Sequence, residues 1–466
     1  MFKKIQNTLK QKPRLLAALL GALYTLGFAP FSLWVAGLLS LSFLFLLFKK
    51  QQTAKQAFTI GVVFAVAHYV TSLHWLIGSF YVTIGDLPVA IAVGGLCVVL
   101  LSFYLSLYIG LAGALVQKFK LSPFVPLLFV LAWVLGEFVR SSLTPTFAWN
   151  LAGYQWAYAD RLLQLASIGG VYLLSFVFVL LAVSVVASPR WRLFAVFLFV
   201  VSFDYGYVRL AENPIIDVET ADASKTHVRL ISGNVNQFDK WKVQKRREFM
   251  QNYIEQSNTG EIADIVIWPE TAVTSALNKH DRLRGYLADQ IKAKNLITGA
   301  PYKGDDGQYY NSMFLLSENG EVESHYDKRH LVPFGEYFPY RKYFPKMFED
   351  FLQGQGEYTP GLEAQKMISV AGINFAPLIC GEIVLPQTKG LIDSEADYIL
   401  NITNDAWFKG TIGPYQHFAF VKVRAATLGK HVIRASNYGV NAFVDNFGRL
   451  LKSENMDSIK ALNLYI

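Results

Sequence analysis

Cysteine and charged residues are both scarce in this sequence. Among 466 residues there are two cysteines, and Asp, Glu, Lys and Arg together make up 17%. The hydrophobic share of 53% and the mean hydropathy of +0.29 favour a membrane protein. The net charge of +8 comes largely from short basic clusters between apolar runs, with no basic stripe on a nucleic-acid motif, so we expect no nucleic-acid partner.

Two kinds of binding motif are also missing. The sequence has no cluster of residues at metal-ligand spacing and no glycine-rich loop of the kind that cradles phosphates. We therefore expect no metal and no cofactor. The length exceeds one compact core, which predicts two units.

Long apolar runs fill the first 210 residues. Each is close to the length that crosses a bilayer. They predict seven spans, at about residues 15–29, 32–48, 57–80, 88–116, 124–139, 162–187 and 193–208.

Basic residues mark every second loop between these spans. With the N-terminus in the cytoplasm, the cytoplasmic loops contain the lysines and arginines at positions 49, 50, 55, 118, 120, 190 and 192. The opposite loops carry Asp86 and, at the edges of one, Arg140 and Arg161. This bias is the positive-inside pattern. An odd number of spans then puts the rest of the chain outside the cytoplasm.

The composition changes abruptly near residue 212. We predict a helical transmembrane domain over 1–210, a polar linker over 211–226 and a catalytic domain over 227–466. In the last of these, short β-rich runs such as "HVRLISGNV", "ADIVIWPE" and "FAPLICGEI" alternate with polar, helix-like stretches. This alternation predicts an α/β fold.

Cys380 is the only cysteine of the exported domain, at the end of the apolar run "FAPLI". Free cysteines often act as small buried hydrophobes. Outside the cytoplasm, however, thiols tend to be oxidised to disulfides, and Cys380 has no partner in its own domain. A reactive role is therefore favoured, with burial as the alternative.

Three further residues stand at strand ends or in loops near such runs. Glu270 follows "IVIWP", whereas Lys328 and Glu336 lie in "YDKRHLVPFGEYFP". Taken singly, they fit a solvated strand end, a surface lysine and a turn cap. Taken with Cys380, they supply what thiol acyl transfer needs: a carboxylate base for the thiol proton and a fixed cation for the oxyanion.

These motifs resemble the nitrilase (carbon–nitrogen hydrolase) superfamily over about residues 227–466, in which a Glu, a Lys and a Cys lie at strand ends of an αββα sandwich. The chain is more closely similar to the apolipoprotein N-acyltransferase family. The matching stretches are "HLVPFGEYFP", "NDAWF", "GPYQHF", "RASNYGV", "FAPF" and "FAWNLAGY".

The resemblance implies a role for each matching residue. Cys380 is the expected nucleophile that carries the acyl chain as a thioester, Glu270 the base and Lys328 the oxyanion cation. Glu336 is a supporting carboxylate, and Glu382 falls on another acidic position of the motif. Trp241, in "NQFDKWK", aligns near a tryptophan of a substrate-side loop, with simple packing as its alternative.

The resemblance also implies the reaction and its setting. It implies a multi-pass enzyme of the bacterial inner membrane with a periplasmic catalytic domain. The expected acyl donor is a phospholipid, and the expected acceptor is the N-terminal cysteine amine of a diacylglyceryl apolipoprotein. The aromatic segment 339–358 has the composition of a lid that keeps water from the thioester, or of interface anchors.

Two features depart from the family pattern. Gly381 follows the expected nucleophile where members often carry an aromatic, and "SIKALNLYI" is too short for the family's final span. We therefore expect the C-terminus to stay outside.

Two other functions remain as alternatives. A membrane-tethered amidohydrolase uses the same residues with water as acceptor. A transporter or receptor needs ionisable groups within its spans, where His68, His74 and Glu137 are the few candidates and most fit span ends.

Overall fold

The computed structural model describes residues 12–143, 146–333, 335–337, 358–362, 367–454 and 459–466. Contacts divide the chain into two compact units, Met1–Pro214 with Gly410–Gly429 and Ile215–Lys409 with Lys430–Ile466. The boundaries drawn from the sequence keep 410–429 with the catalytic domain, whereas contacts group this segment with the helical unit. The domain boundaries predicted from the sequence therefore remain a proposal about which segments fold together.

The first unit is helical. Its helices up to residue 214 are α1 (Pro13–Thr25), α2 (Trp34–Lys50), α3 (Ala54–Leu73), α4 (Leu76–Ile84), α5 (Leu87–Lys118), α6 (Val125–Ser142), α7 (Asp160–Leu163), α8 (Ala166–Val185) and α9 (Pro189–Ala211). Within the described residues, five of them, α3, α5, α6, α8 and α9, are long and apolar enough to cross a membrane. The shorter α1 and α2 match the first two predicted spans. The third predicted span, 57–80, is in fact two helices, because α3 ends at Leu73 and α4 begins at Leu76.

Local sequence explains where several of these helices begin. The Thr53 side chain accepts a hydrogen bond from the Gln56 backbone, and the Gln56 side chain caps the Thr53 backbone in return. At α5, the Asp86 carboxylate accepts from the Val89 N–H, and Pro88 occupies the first turn, where its missing N–H costs nothing.

Two ionisable residues of the helices, Glu137 and His68, form hydrogen bonds within the helical unit. Glu137 Oε1 accepts from Trp133 Nε1 at 2.9 Å and from the Ala152 N–H at 2.7 Å. His68 Nδ1 lies 2.9 Å from Thr25 Oγ1. His68 and Glu137 are buried and lie five residues before the ends of α3 and α6, whereas His74 directly follows α3, so of the three candidates only His74 lies at a helix end. These hydrogen bonds connect His68 of α3 to α1, and Glu137 of α6 to the segment that follows α6.

Two six-stranded sheets dominate the second unit. The first contains β1 (His227–Ser232), β2 (Ile265–Ile267), β3 (Asn295–Lys303), β4 (Tyr309–Ser317), β5 (Val322–Asp327) and β12 (Lys460–Tyr465), in the order β12-β1-β2-β3-β4-β5. The second contains β6 (Ile368–Val370), β7 (Ile373–Ile379), β8 (Tyr398–Thr403), β9 (His431–Ser436), β10 (Asn441–Val444) and β11 (Leu450–Glu454), in the order β11-β10-β9-β8-β7-β6. The stretch "SIKALNLYI" thus supplies a strand, antiparallel to β1.

Strand alternation builds a layered core. Ile265 and Ile267 of β2 face the second sheet and pack in one cluster with Leu400 and Ile402 of β8. Val266, between them, points to the other side. There it packs with residues of α10 (Val243–Ser257) and α11 (Asp281–Gln290). The predicted fold class, a helical membrane part followed by an α/β sandwich, is confirmed.

The remaining helix, α12 (Gly413–Leu428), belongs to the helical unit and contains the "GPYQHF" motif. Gln416 Oε1 accepts from two indole N–H groups, Trp75 Nε1 at 3.1 Å and Trp149 Nε1 at 2.8 Å. Trp149 belongs to "FAWNLAGY", whose backbone carbonyls at Phe147 and Trp149 bind the Arg140 guanidinium. Two motifs distant in sequence therefore meet at one buried amide.

Candidate active site

Three of the predicted residues follow the ends of strands in the sandwich. Glu270 comes three residues after β2, Lys328 directly after β5, and Cys380 directly after β7. The first two strands belong to one sheet and the third to the other. Because the sheets stack, side chains from both converge near one edge of the sandwich.

The Lys328 ammonium is the centre of an ionic cluster. Its Nζ lies 2.8 Å from Glu336 Oε2 and 3.7 Å from Glu270 Oε1. The lysine side chain is 1% exposed. Burial by itself lowers the pKa of Lys328, but the charges of Glu336 and Glu270 outweigh it and raise the pKa above its usual value. The ammonium therefore keeps its proton at physiological pH and is a fixed cation.

Asn311 joins the two carboxylates and was not identified from the sequence. Its Nδ2 donates to Glu270 Oε1 at 2.8 Å and to Glu336 Oε1 at 2.7 Å. Asn311 also lies beside Lys328, because β4 and β5 pair Ser312 with Asp327 and the Lys328 N–H donates to the Asn311 carbonyl at 2.8 Å. A buried asparagine within the apolar run "YYNSMFLL" was the signal available in the sequence.

Cys380 occupies a sharp turn between β7 and a short 3₁₀ turn over Cys380–Val384. Its φ of +51° is the left-handed conformation that side-chain-bearing residues rarely adopt. Such conformations cluster at functional sites, where the surrounding structure imposes them. The β7–β8 register pairs Ile379 with Ile402, so Thr403 comes next to Cys380, where its side chain lowers the thiol pKa slightly against larger opposing effects.

The electrostatic surroundings keep the resting thiol protonated. Burial, and then the negative charge of Glu270, raise the pKa of Cys380 to about 12, whereas the Lys328 cation acts in the opposite direction. The charges of Glu270 and Lys328 therefore both affect the pKa of the thiol. A thiol of this kind needs a proton acceptor before it reacts.

Glu382 is a fully buried carboxylate that joins the strand end bearing Lys328 to the one bearing Cys380. It accepts hydrogen bonds from the backbone N–H groups of Ile379 at 2.8 Å and Arg329 at 2.8 Å. A third backbone N–H, of His330, and the Tyr326 hydroxyl complete the set. Burial raises the pKa of Glu382. These hydrogen bonds hold the end of β7, next to Cys380, against the segment that follows Lys328.

Two of the remaining expectations concern single residues, Trp241 and Gly381. The Trp241 residue is 47% exposed, which does not fit the packing alternative. At Gly381, an added Cβ would meet only Val332 Cγ2, at 3.7 Å, so the site has room for a side chain there.

The segment 339–358, predicted as a lid or as interface anchors, lies outside the described residues except for Tyr358. In the described part of the chain, no group of three His, Cys, Asp or Glu side chains is arranged to hold a metal ion.

Two family models match this chain. Residues 20–184 match the model of the apolipoprotein N-acyltransferase N-terminal domain, and residues 228–457 match the model of carbon–nitrogen hydrolase. Similar proteins are the apolipoprotein N-acyltransferase of Rickettsia typhi, 32% identical over 96% of this chain and 90% of that protein, and that of Vibrio parahaemolyticus, 30% identical over 95% and 88%.

Solved structures resemble the sandwich. A mutant amidase of the nitrilase superfamily from Nesterenkonia AN1 is 18% identical, with a TM-score of 0.39, and covers 53% of this chain and 93% of its own. The glutamine-dependent NAD+ synthetase of Acinetobacter baumannii is also 18% identical, with a TM-score of 0.38 and coverage of 52% and 47%.

Proposed function

Because this chain belongs to the apolipoprotein N-acyltransferase family, we propose that it moves a fatty acyl chain from a membrane phospholipid to the N-terminal cysteine amine of a diacylglyceryl apolipoprotein. The chain is a membrane acyltransferase with a carbon–nitrogen hydrolase fold. The observation that carries the proposal is about 30% identity to such enzymes across both the helical part and the sandwich. A soluble amidase has no use for the helical part, whereas an enzyme with two lipid-anchored substrates does.

In the first half of the reaction, Glu270 takes the proton of the Cys380 thiol and the thiolate attacks an ester carbonyl of the phospholipid. The Lys328 ammonium and a backbone N–H just after the nucleophile stabilise the resulting oxyanion. Collapse of this intermediate breaks the ester bond. The departing lysophospholipid alkoxide takes the proton from Glu270, and the acyl chain stays on sulfur as a thioester.

In the second half, the neutral amine of the lipoprotein attacks the thioester carbonyl. Glu270 accepts a proton from the amine, and the C–S bond breaks to give the amide. The proton then returns to the Cys380 thiolate, which restores the resting enzyme. Glu336 supports the proposed role of Lys328 because it pairs with the ammonium, and Asn311 supports that of Glu270 because its amide donates to the carboxylate.

The proposed location is the bacterial inner membrane, with the sandwich in the periplasm. The basic loops of the helical part support this orientation through the positive-inside bias. A periplasmic sandwich also fits a lone free thiol at Cys380, since the other described cysteine, Cys97, lies in α5.

The decisive experiment traps the acyl-enzyme. The full-length protein in nonionic detergent is incubated with phospholipid carrying a labelled acyl chain, and the thioester is measured as hydroxylamine-sensitive label on the protein. We expect label on the wild type, none on Cys380→Ser or Cys380→Ala, and transfer of the label to an added lipopeptide. Turnover of soluble amides without any labelling by phospholipid would instead establish the amidohydrolase.

A further inference from the structure

Lys240 is a buried lysine that the proposed mechanism does not use. It lies in the turn between β1 and α10 and is 4% exposed. Its Nζ donates to the backbone carbonyl of Glu270 at 3.1 Å. The neighbouring Asp239 carboxylate instead binds Lys242 and Lys245, at 2.7 and 3.0 Å. In the described part of the chain, therefore, no carboxylate forms an ion pair with the Lys240 ammonium.

The carbonyl that Lys240 binds belongs to a constrained segment. Thr271, directly after Glu270, has a φ of +50°, again in the left-handed region. On the other side, Gly299 of β3 approaches so closely that an added Cβ would lie 2.5 Å from Thr271 N and 2.7 Å from Glu270 Cα. The Glu270 backbone is thus held between β3 and the Lys240 side chain, and this fixes where its carboxylate points.

The Lys240 charge also acts on the reacting groups. Burial lowers the pKa of Lys240 to about 8, and the charges of Glu270 and Cys380 act against this shift. The lysine borders a cavity of about 390 Å³, whose other charged lining residues are Arg246 and Arg247 of α10.

We propose that Lys240 is a positioning residue for acyl transfer, which holds the Glu270 main chain and keeps a positive charge near the Cys380 sulfur while the thiolate forms. The inference rests on the proposed function. Lys328 stays charged throughout, whereas Lys240 is a cation that titrates in an accessible pH range. The two lysines therefore differ in how their effects on the thiol depend on pH.

The sign of the effect follows from the charges. A cation near the sulfur favours the thiolate and lowers the thiol pKa, so removal of Lys240 raises it. Each unit of that change alters the thiolate fraction about tenfold. Above pH 8 the wild-type amine loses its proton, and its electrostatic effect disappears. The difference between wild type and a neutral variant is therefore large below pH 8 and shrinks above it.

The experiment measures alkylation of Cys380 by iodoacetamide from pH 6.5 to 9.5, in full-length protein with Cys97→Ala as background. Lys240→Met should react about tenfold more slowly than the parent protein at pH 6.5, and the ratio should approach a constant value by pH 9.5. Lys240→Arg keeps its charge over the whole range, so its thiol should react faster than that of the parent at pH 9.5. The same series is then assayed for thioester formation with phospholipid.

The matched control is Lys242→Met, which removes a mostly exposed lysine two residues away. It should show the parent's alkylation profile. A parent-to-Met ratio that does not change between pH 6.5 and 9.5 would overturn the electrostatic role, whatever its absolute value. Alkylation does not require phospholipid, so absence of the thioester in the parent would refute the proposed function while leaving the inference about Lys240 under test.

Discussion

At the scale of single residues, this site depends on charges arranged around one sulfur. Lys328 is held between Glu336 and Glu270, and Asn311 bridges the same two carboxylates. Burial keeps the Cys380 thiol protonated, so reactivity must come from transfer of its proton at the moment of attack. In this arrangement Glu270 disfavours the resting thiolate and yet is the base of the proposed reaction.

These opposed effects of Glu270 predict an unusual variant. Glu270→Gln removes a negative charge that raises the Cys380 pKa, so the thiol pKa should fall and iodoacetamide should react faster at pH 7, about tenfold per unit of pKa. Thioester formation from phospholipid should nevertheless be lost, because the base is gone. Both are measured on full-length protein in the Cys97→Ala background. Slower alkylation together with lost thioester would contradict the electrostatic assignment.

The close approach of β3 to the Glu270 segment gives a second prediction. Gly299→Ala would put a methyl group 2.5 Å from Thr271 N, so the Glu270 backbone must move and thioester formation should fall by about tenfold or more, equivalent to about 1.4 kcal/mol. The control is Gly285→Ala in α11, where an added Cβ meets nothing within 4 Å. Equal rates for the two variants would show that the base tolerates this displacement.

At the scale of elements, the site is set by how strand ends are tied together. Glu382, at the end of β7, accepts the backbone N–H groups of Arg329 and His330, which follow β5. These strands belong to different sheets, so one carboxylate fixes the distance between Lys328 and Cys380. Strand register contributes in the same way, since β4 and β5 align Asn311 with Lys328.

Glu382→Gln tests this connection. A carboxylate accepts on both oxygens, whereas an amide turns an NH₂ toward backbone donors and leaves at least one of them unpaired, at about 1–3 kcal/mol. We expect a thermal unfolding midpoint lower by several degrees, roughly 2–4 °C per kcal/mol, together with slower thioester formation. Glu323→Gln, on the exposed face of β5, is the matched control. An unchanged midpoint for Glu382→Gln would exclude the role in tying the sheets.

At the scale of the whole molecule, the chain combines apolar helices with a sandwich built from two sheets. Helices of this length and composition make it a membrane protein. The basic residues of alternate loops support a cytoplasmic N-terminus and an exported sandwich. The proposed chemistry suits this arrangement, because donor and acceptor are both anchored in the bilayer.

Cysteine labelling of intact cells tests this orientation. Glu219→Cys, in the linker before the sandwich, should react with a membrane-impermeant maleimide, whereas Lys50→Cys and Lys118→Cys should react only after the cells are permeabilised. All three positions are exposed on the protein. Labelling of the two lysine positions in intact cells, with none at residue 219, would invert the proposed topology.

The sequence predicted features that depend on local composition and order. Apolar runs near bilayer length indicated the helices, and alternation of β-rich and polar stretches indicated the sandwich, because both patterns arise from burial along a single element. The third span was misjudged, since hydropathy alone does not reveal the break between Leu73 and Leu76. Placement of Glu270, Lys328, Glu336 and Cys380 at strand ends or in loops was likewise available from the sequence.

Only the tertiary structure decided which side chains meet. Asn311 and Lys240 lie 41 and 30 residues from Glu270 in sequence, and neither has a motif that indicates this partner. Their contacts with Glu270 exist because β1, β2, β3 and β4 lie side by side in the first sheet, which brings residues of β4 and of the turn after β1 within hydrogen-bond distance of Glu270. Composition and order thus determined the class of protein and the candidate residues. Packing determined the distances and the electrostatic interactions between these residues, since such interactions depend on separations that no linear pattern encodes.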